Sequence, residues 1–183
     1  KELEEAFDRV RRLLEENKRK AEEVHRTNEE LVRRNNEKSE RVHRENEKEI
    51  ERLDRAKKRG EIREEEAKRV LEKIERSLKR SEEHSEELER EVERTLRELE
   101  KHSEDVLKDI ERLLKDVLRK DKDSERVKTL LKELRDRLKE SRETVKELVD
   151  RSREEVKKSK KRNKKVVTDS RRRIKDVLDK VRK

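Results

Sequence analysis

The side chains in this sequence best suited to chemistry are four histidines, which stand in two pairs, His25 with His43 and His84 with His102. The members of each pair are 18 residues apart, which is about 27 Å along a helix. A zinc site needs three or four ligands within about 2 Å of one ion, so this spacing argues against a metal centre. The chemistry left to these residues is the gain and loss of a proton near physiological pH.

Asparagines and hydroxyl residues accompany the histidines at positions where an amphipathic helix would carry leucines. In the stretch HRTNEELVRRNNEKSERVHREN, residues 25 to 46, a turn of 100° per residue puts Asn28 and Asn46 at the centre of the apolar arc. The same turn puts His25 and His43 at the edge of that arc. We therefore predict that these polar side chains point toward the interior of a helical protein and bond to one another there.

The composition is typical of long helices. Of 183 residues, 61% are charged and only 25% are hydrophobic, and there is no cysteine, so disulfides and thiolate sites are excluded. Such a composition also suits a disordered chain, but the apolar residues recur at steps of three and four that average about 3.6, the period of an amphipathic helix. No apolar run approaches the roughly 18 residues of a membrane span and no signal peptide is visible, so we expect a soluble protein.

Two breaks in the pattern divide the chain into three helices. Gly60, after Lys57 and Lys58, is typical of a helix C-terminus, and Asp121, Asp123 and Ser124 offer N-cap oxygens before the third helix. The predicted helices cover about 2–58, 63–119 and 124–182. Because the connections are short, we predict an all-α fold: one long, nearly straight, up-down-up antiparallel three-helix bundle over residues 1–183, with an 18-residue repeat.

Antiparallel folding at these turns brings polar residues of different helices to the same heights. Five polar layers are predicted in this way, and the third and fifth repeat the first and second after 18 residues. The layers are Asn17, His102, Ser103 and Ser141; His25, Asn28, Thr95 and Ser152; Asn35, His84, Ser85 and Ser159; Ser39, Ser81 and Asn163; and His43, Asn46, Ser77 and Ser170.

Polar layers have a physical purpose in a core. A buried amide, hydroxyl or imidazole without a partner costs a few kcal/mol, whereas mutually satisfied groups cost little. A slip of one helix against another would leave every member of a layer without its partner. We therefore expect the layers to set the register of three helices whose charged surfaces are otherwise alike.

In these features the chain resembles computationally designed helical bundles with parametric backbones and buried hydrogen-bond networks, some of which carry histidines that make the assembly respond to pH. The resemblance covers the whole chain and rests on the 18-residue repeat, the absence of Gln, Met, Trp, Tyr, Cys and Pro, and the Glu/Lys/Arg surface. It implies a structural scaffold without natural biochemical activity: not an enzyme, with no catalytic residue, cofactor, metal or required partner. The limited apolar arcs favour a monomer.

The resemblance makes His25, His43, His84 and His102 candidate pH sensors. Protonation of a buried imidazole removes an acceptor and adds a buried charge, so the stability that these layers contribute is expected above about pH 6.5 and is lost as the pH falls. The alternative is that histidines at the edge of the arc are half-exposed, reach water and titrate normally.

Other functions are consistent with parts of the sequence. The segments KKSKKRNKK, residues 157–165, and RRRIK, residues 171–175, predict weak, nonspecific attraction to nucleic acid or other polyanions through helix 3. Aromatic residues that would stack on bases are lacking there. A natural spectrin-like spacer would also have three helices, but its heptads would be less regular, and a homo-oligomer remains open because polar layers are also used to specify assemblies.

Overall fold

A computed structural model describes residues 2–120 and 124–182 of the chain. Its helices are α1 (Glu2–Lys58), α2 (Glu64–Lys120) and α3 (Glu125–Arg182), and the described residues contain no strand. The all-α, three-helix prediction is confirmed. The predicted helix ends differ from the observed ones by at most one residue.

The end of α1 follows from the one glycine in the sequence. Gly60 has a φ of 69°, in the left-handed region that residues with a Cβ disfavour. Its backbone N–H donates to the Lys57 carbonyl oxygen at 3.0 Å, and the Glu61 N–H donates to that of Ala56 at 3.0 Å. These two bonds form a Schellman motif, which satisfies carbonyl groups that the helix leaves without partners.

The start of α3 follows from Ser124. The carbonyl oxygen of Ser124 accepts the first bond of the helix, from the Lys128 N–H at 3.1 Å, which makes Ser124 the N-cap residue. The other two predicted caps, Asp121 and Asp123, lie outside the described residues. Glu64, Glu65 and Glu66 form the acidic first turn of α2, where negative charge complements the helix dipole.

The described residues form two compact units, and every helix contributes to both. Unit 1 lies within Lys1–Glu29 and Val92–Glu154, and unit 2 within Glu30–Glu91 and Glu155–Lys183. A single domain over residues 1–183 stays a prediction.

Within each unit, bonded pairs give the helix directions. In unit 2, Ser39 bonds Asn163 and Lys57 bonds Val181 at the same sequence separation of 124, so α1 and α3 run parallel there. The separation rises from 82 for Ser81 with Asn163 to 96 for Glu75 with Arg171, so α2 runs antiparallel to α3.

The same relations hold in unit 1. The bonded pairs of α1 and α3 lie 122 to 127 residues apart, whereas those of α2 and α3 range from 31 to 60. Each unit therefore has the predicted up-down-up arrangement.

Each unit has its own apolar cluster. The buried side chains of the unit 1 cluster include Phe7, Val10, Leu14, Leu107, Ile110, Leu114, Val127, Leu131, Leu134 and Leu138. Those of unit 2 are Ile50, Leu53, Ala67, Leu71, Ile74, Leu78, Val167, Val177 and Val181. Among the helices described, none is long and apolar enough to cross a membrane.

Candidate functional site

The most complete polar layer joins all three helices of unit 2. Asn163 on α3 is buried, and its Oδ1 accepts hydrogen bonds from the Ser39 hydroxyl of α1 at 2.5 Å and the Ser81 hydroxyl of α2 at 3.0 Å. The Nδ2 of Asn163 donates to the backbone carbonyl oxygen of Ser81 at 3.3 Å. One amide thus accepts both hydroxyl protons through its oxygen and makes a second bond to α2 through its NH₂.

Two histidine–serine pairs repeat at the 18-residue interval, one in each unit. In unit 1, His25 Nδ1 lies 2.8 Å from the Ser152 hydroxyl oxygen, and in unit 2, His43 Nδ1 lies 3.4 Å from that of Ser170. His25 is buried at 7% exposure, whereas His43 is half-buried. The histidine–serine pair of unit 1 therefore has the shorter distance and the more deeply buried histidine.

A carboxylate on the same helix approaches the second ring nitrogen of His25. Nε2 lies 2.6 Å from Oε1 of Glu29, without the alignment of a hydrogen bond. The Ser152 hydroxyl can donate to Nδ1 or accept a bond from it, according to which ring nitrogen carries the hydrogen.

Asparagine and hydroxyl residues bond α1 to α2 at the next turn. In unit 1, the Thr95 hydroxyl lies 3.2 Å from Oδ1 of Asn28 and 2.8 Å from the Val92 carbonyl oxygen. One hydroxyl proton cannot serve both acceptors fully, and turning the Asn28 amide over would let its NH₂ donate to Thr95 instead. In unit 2, Nδ2 of Asn46 donates to the Ser77 hydroxyl at 3.4 Å.

Two asparagines bond α1 to α3, and one of them was missed by the sequence reasoning. In unit 1, Nδ2 of Asn17 donates to the Ser141 hydroxyl at 3.0 Å. In unit 2, the Ser159 hydroxyl donates to Oδ1 of Asn36 at 2.6 Å, and not to the predicted Asn35. Asn36 lies 100° further around α1 than Asn35, on the side that faces α3. The second asparagine, directly after Asn35 in the sequence, was the signal that could have identified this contact.

Two of the predicted layer histidines lie outside the layers. His84 and His102 are exposed, and the Glu87 carboxylate, on the same helix as His84, lies 3.7 Å from its Nδ1. Their assignment to buried layers was wrong, because an edge of the apolar arc can face solvent when the neighbouring helix covers the other side. Ser85 and Ser103, one position further along, are buried, and the Ser85 hydroxyl has no partner among the described residues.

Arginine clamps join α2 to α3 on the surface of each unit. Arg153 donates to Glu93 and Glu100 in unit 1, and Arg171, 18 residues later, donates to Glu75 and Glu82 in unit 2. The hydrogen bond from Arg153 holds the pKa of the Glu93 carboxyl below its ordinary value. Both clamps are partly exposed, so each is worth little stability but supports the alignment of the two helices.

Among solved structures, the chain is similar to a computationally designed three-helix bundle, with 16% sequence identity, 99% of this chain and 84% of that chain covered, and a TM-score of 0.39. No family model and no curated protein matches the chain. The chain is a three-helix bundle by its own helices and inter-helix bonds.

Proposed function

We propose that this chain is a designed structural scaffold without natural biochemical activity, in which layers of buried polar side chains set the register of three helices. The observation that carries the proposal is the layer of Ser39, Ser81 and Asn163, in which one amide bonds two other helices. A slip of one turn moves a helix by about 5.4 Å, far beyond hydrogen-bond distance, and would break all of these contacts together.

The repetition of contacts supports a designed origin. The pair His25 with Ser152 recurs as His43 with Ser170, each residue shifted by 18 positions. The surface clamp of Arg153 recurs in the same way as that of Arg171. Repetition of both core and surface contacts at five helical turns is what an idealised backbone with a repeated sequence cassette would produce.

The test of the proposal measures helix register directly. Because the chain has no cysteine, Lys48→Cys and Lys79→Cys, on exposed positions of α1 and α2, allow spin labels to be attached and their distance to be measured by pulsed electron paramagnetic resonance. Wild type should give one narrow distance. A variant of unit 2 with all its polar layer residues changed to Ala, Leu or Val should add a second distance, because register slips then become possible.

A matched control keeps most of the layers. The variant S39A/S81L/N163V makes one layer apolar and leaves the bonds of His43, Asn46 and Ser159, so its distance distribution should stay narrow. If the fully apolar variant also kept one narrow, unchanged distance, apolar packing alone would set the register and the proposal would fail.

The acid response predicted for four histidines is, in this proposal, limited to His25 and His43. A charge placed on the buried His25 ring by protonation would be poorly solvated, so acid should lower stability. The unfolding midpoint in guanidinium chloride should therefore fall between pH 8 and pH 5. An H25N/H43N variant should show no fall in this range, and an unchanged fall would exclude these two residues.

We propose further that the chain is a monomer. The described residues expose no large hydrophobic side chain, so there is no apolar patch of the kind that commonly buries itself against a second copy. Sedimentation equilibrium at several concentrations should give the mass of one chain, 22.5 kDa. A mass of two or three chains that persists on dilution would contradict this.

A second candidate function is nonspecific binding of polyanions by α3 of unit 2. No acidic residue occurs between positions 156 and 168, and two basic side chains there, Lys160 and Arg162, pair with Glu89 and Glu40 on the other helices. Five exposed lysines of this segment have no carboxylate within ion-pair distance among the described residues: Lys157, Lys158, Lys161, Lys164 and Lys165.

This candidate is tested by fluorescence anisotropy with a labelled DNA duplex at increasing salt. About five phosphate contacts predict that log K falls with log salt with a slope of about −4, independent of base sequence. Changing the five lysines to Gln should abolish binding at low salt. The same number of changes at Lys132, Arg135, Lys139, Lys146 and Arg151 of unit 1 should weaken it much less, and equal losses would attribute binding to net charge alone.

A further inference from the structure

A polar cavity of about 160 Å³ opens between α1 and α2 of unit 2. Its inner wall consists of the Asn35 amide and of the Ser39, Ser77 and Ser81 side chains, all half-buried. The volume is far above the roughly 15 Å³ that one water molecule needs, so a small solute fits. Hydrogen-bonding groups of both helices converge on this space.

The rim of the cavity is positively charged. Lys38 of α1 and Arg80 and His84 of α2 line it, and none of its eight lining residues is acidic. Within residues 2–120 and 124–182, no carboxylate lies within ion-pair distance of Lys38 or Arg80. By contrast, Arg162 and Arg171 of the same unit are both paired. The two free cations therefore face the cavity without a neutralising group of the protein.

One hydroxyl group of the cavity wall is free to donate a hydrogen bond to a ligand. Ser39 and Ser81 donate theirs to Asn163, but Ser77 accepts its bond from Asn46 and so keeps its own proton for the cavity. Together with the Lys38 ammonium, the Arg80 guanidinium and the NH₂ of Asn35, this makes a set of donors from two helices. Such donors match the several acceptor oxygens of a tetrahedral oxyanion.

We propose that this cavity binds a small tetrahedral oxyanion, with sulfate and inorganic phosphate as its simplest members. This goes beyond the scaffold role, because it assigns to one layer of unit 2 a ligand site that the register function does not require. The position of the site is set by the same Ser39–Ser81–Asn163 layer, whose small side chains leave the space open.

Unit 1 provides an internal comparison. The positions that correspond to Ser39, Ser81 and Arg80 after the 18-residue shift are Ala21, Leu99 and Glu98. Ala21 and Leu99 are fully buried, and Glu98 replaces a positive charge with a negative one. Oxyanion binding is therefore expected in unit 2 alone.

The test is a titration of the full ¹⁵N-labelled chain with sodium sulfate at pH 7 and constant ionic strength, followed by amide chemical shifts. Saturable shifts are expected for residues 35–42 and 77–84, with a dissociation constant on the order of 1 mM. The K38Q/R80Q variant should bind at least tenfold more weakly, and circular dichroism checks that it folds, as expected for two exposed positions.

The matched control, K20Q/K101Q, removes two exposed positive charges from unit 1. It should leave the dissociation constant within twofold of wild type. Shifts that rise linearly without saturation, or that spread over both units, would overturn the proposal. Equal weakening of binding in the two variants would overturn it as well. Each of these results is what nonspecific screening of protein charge by the salt would produce.

Discussion

Units 1 and 2 place different residues at the same three positions of the repeat. In unit 1 these positions carry Ala21, Leu99 and Val145, which are buried at 0%, 2% and 6% exposure. In unit 2, 18 residues away along each helix, they carry Ser39, Ser81 and Asn163, which bond one another across three helices.

The difference shows what each kind of layer contributes. An apolar layer gains free energy from burial in almost any register, since dispersion and the hydrophobic effect are not directional. A polar layer gains little net free energy, but it loses several kcal/mol when its donors and acceptors are separated. In the proposed function, the layer of unit 1 therefore contributes general stability, whereas the layer of unit 2 contributes specificity of helix alignment.

The largest effect is expected from placing the polar residue of unit 2 into unit 1. Val145→Asn buries an amide where the repeat has Ala21 and Leu99 in place of the two hydroxyls that Asn163 bonds in unit 2, so those two bonds cannot form. The free energy of unfolding in guanidinium chloride should fall by about 3 kcal/mol. The control Val145→Ala removes bulk without adding an amide, and equal losses in the two variants would contradict this explanation.

The reverse change should cost less. Asn163→Val removes the acceptor of two hydroxyls and leaves Ser39 and Ser81 to find weaker bonds to their own helices. The expected loss is about 2 kcal/mol, again measured by guanidinium unfolding. Ser159→Ala nearby removes one partner of Asn36, which is half-buried and can bond water, and should cost clearly less. A cost of Asn163→Val no greater than that of Ser159→Ala would show that the layer is not cooperative.

The smallest effect is expected at the surface clamps. Arg153 lowers the pKa of Glu93, so the stability from this pair is present above the ordinary range of a glutamate and is lost as the pH falls through the lowered pKa. Arg153→Gln should reduce stability at pH 7 by less than about 1 kcal/mol and remove that part of the acid dependence. A larger loss at pH 2, where the carboxyls are protonated, than at pH 7 would contradict the assignment.

Much of the architecture could be predicted because the residues at the helix ends and the period of the apolar residues indicate the same three helices. Gly60 specifies a left-handed helix end, Ser124 specifies a start, and antiparallel folding at these turns brings Ser39, Ser81 and Asn163 to one height. These features depend on distances along a helix, which the sequence states directly.

The features that could not be predicted depend on how far each helix is rotated about its own axis. Asn35 and Asn36 differ by 100° on α1, and which of them meets Ser159 depends on where α3 packs. His84 and His102 lie at an arc edge for the same reason, and their exposure follows from which side of α2 the other helices cover. The cavity beside Ser39 also depends on this rotation, so its charged rim was not apparent from spacing alone.

The central claim, that Ser39, Ser81 and Asn163 act as one layer, is tested most directly by a thermodynamic cycle. The free energies of unfolding of wild type, Asn163→Val, S39A/S81L and S39A/S81L/N163V would be measured under one set of conditions. Each partial variant should be destabilised, and the complete variant should be at least as stable as wild type, which gives a coupling free energy of about 2 kcal/mol or more. Additive effects, with a coupling near zero, would contradict the account.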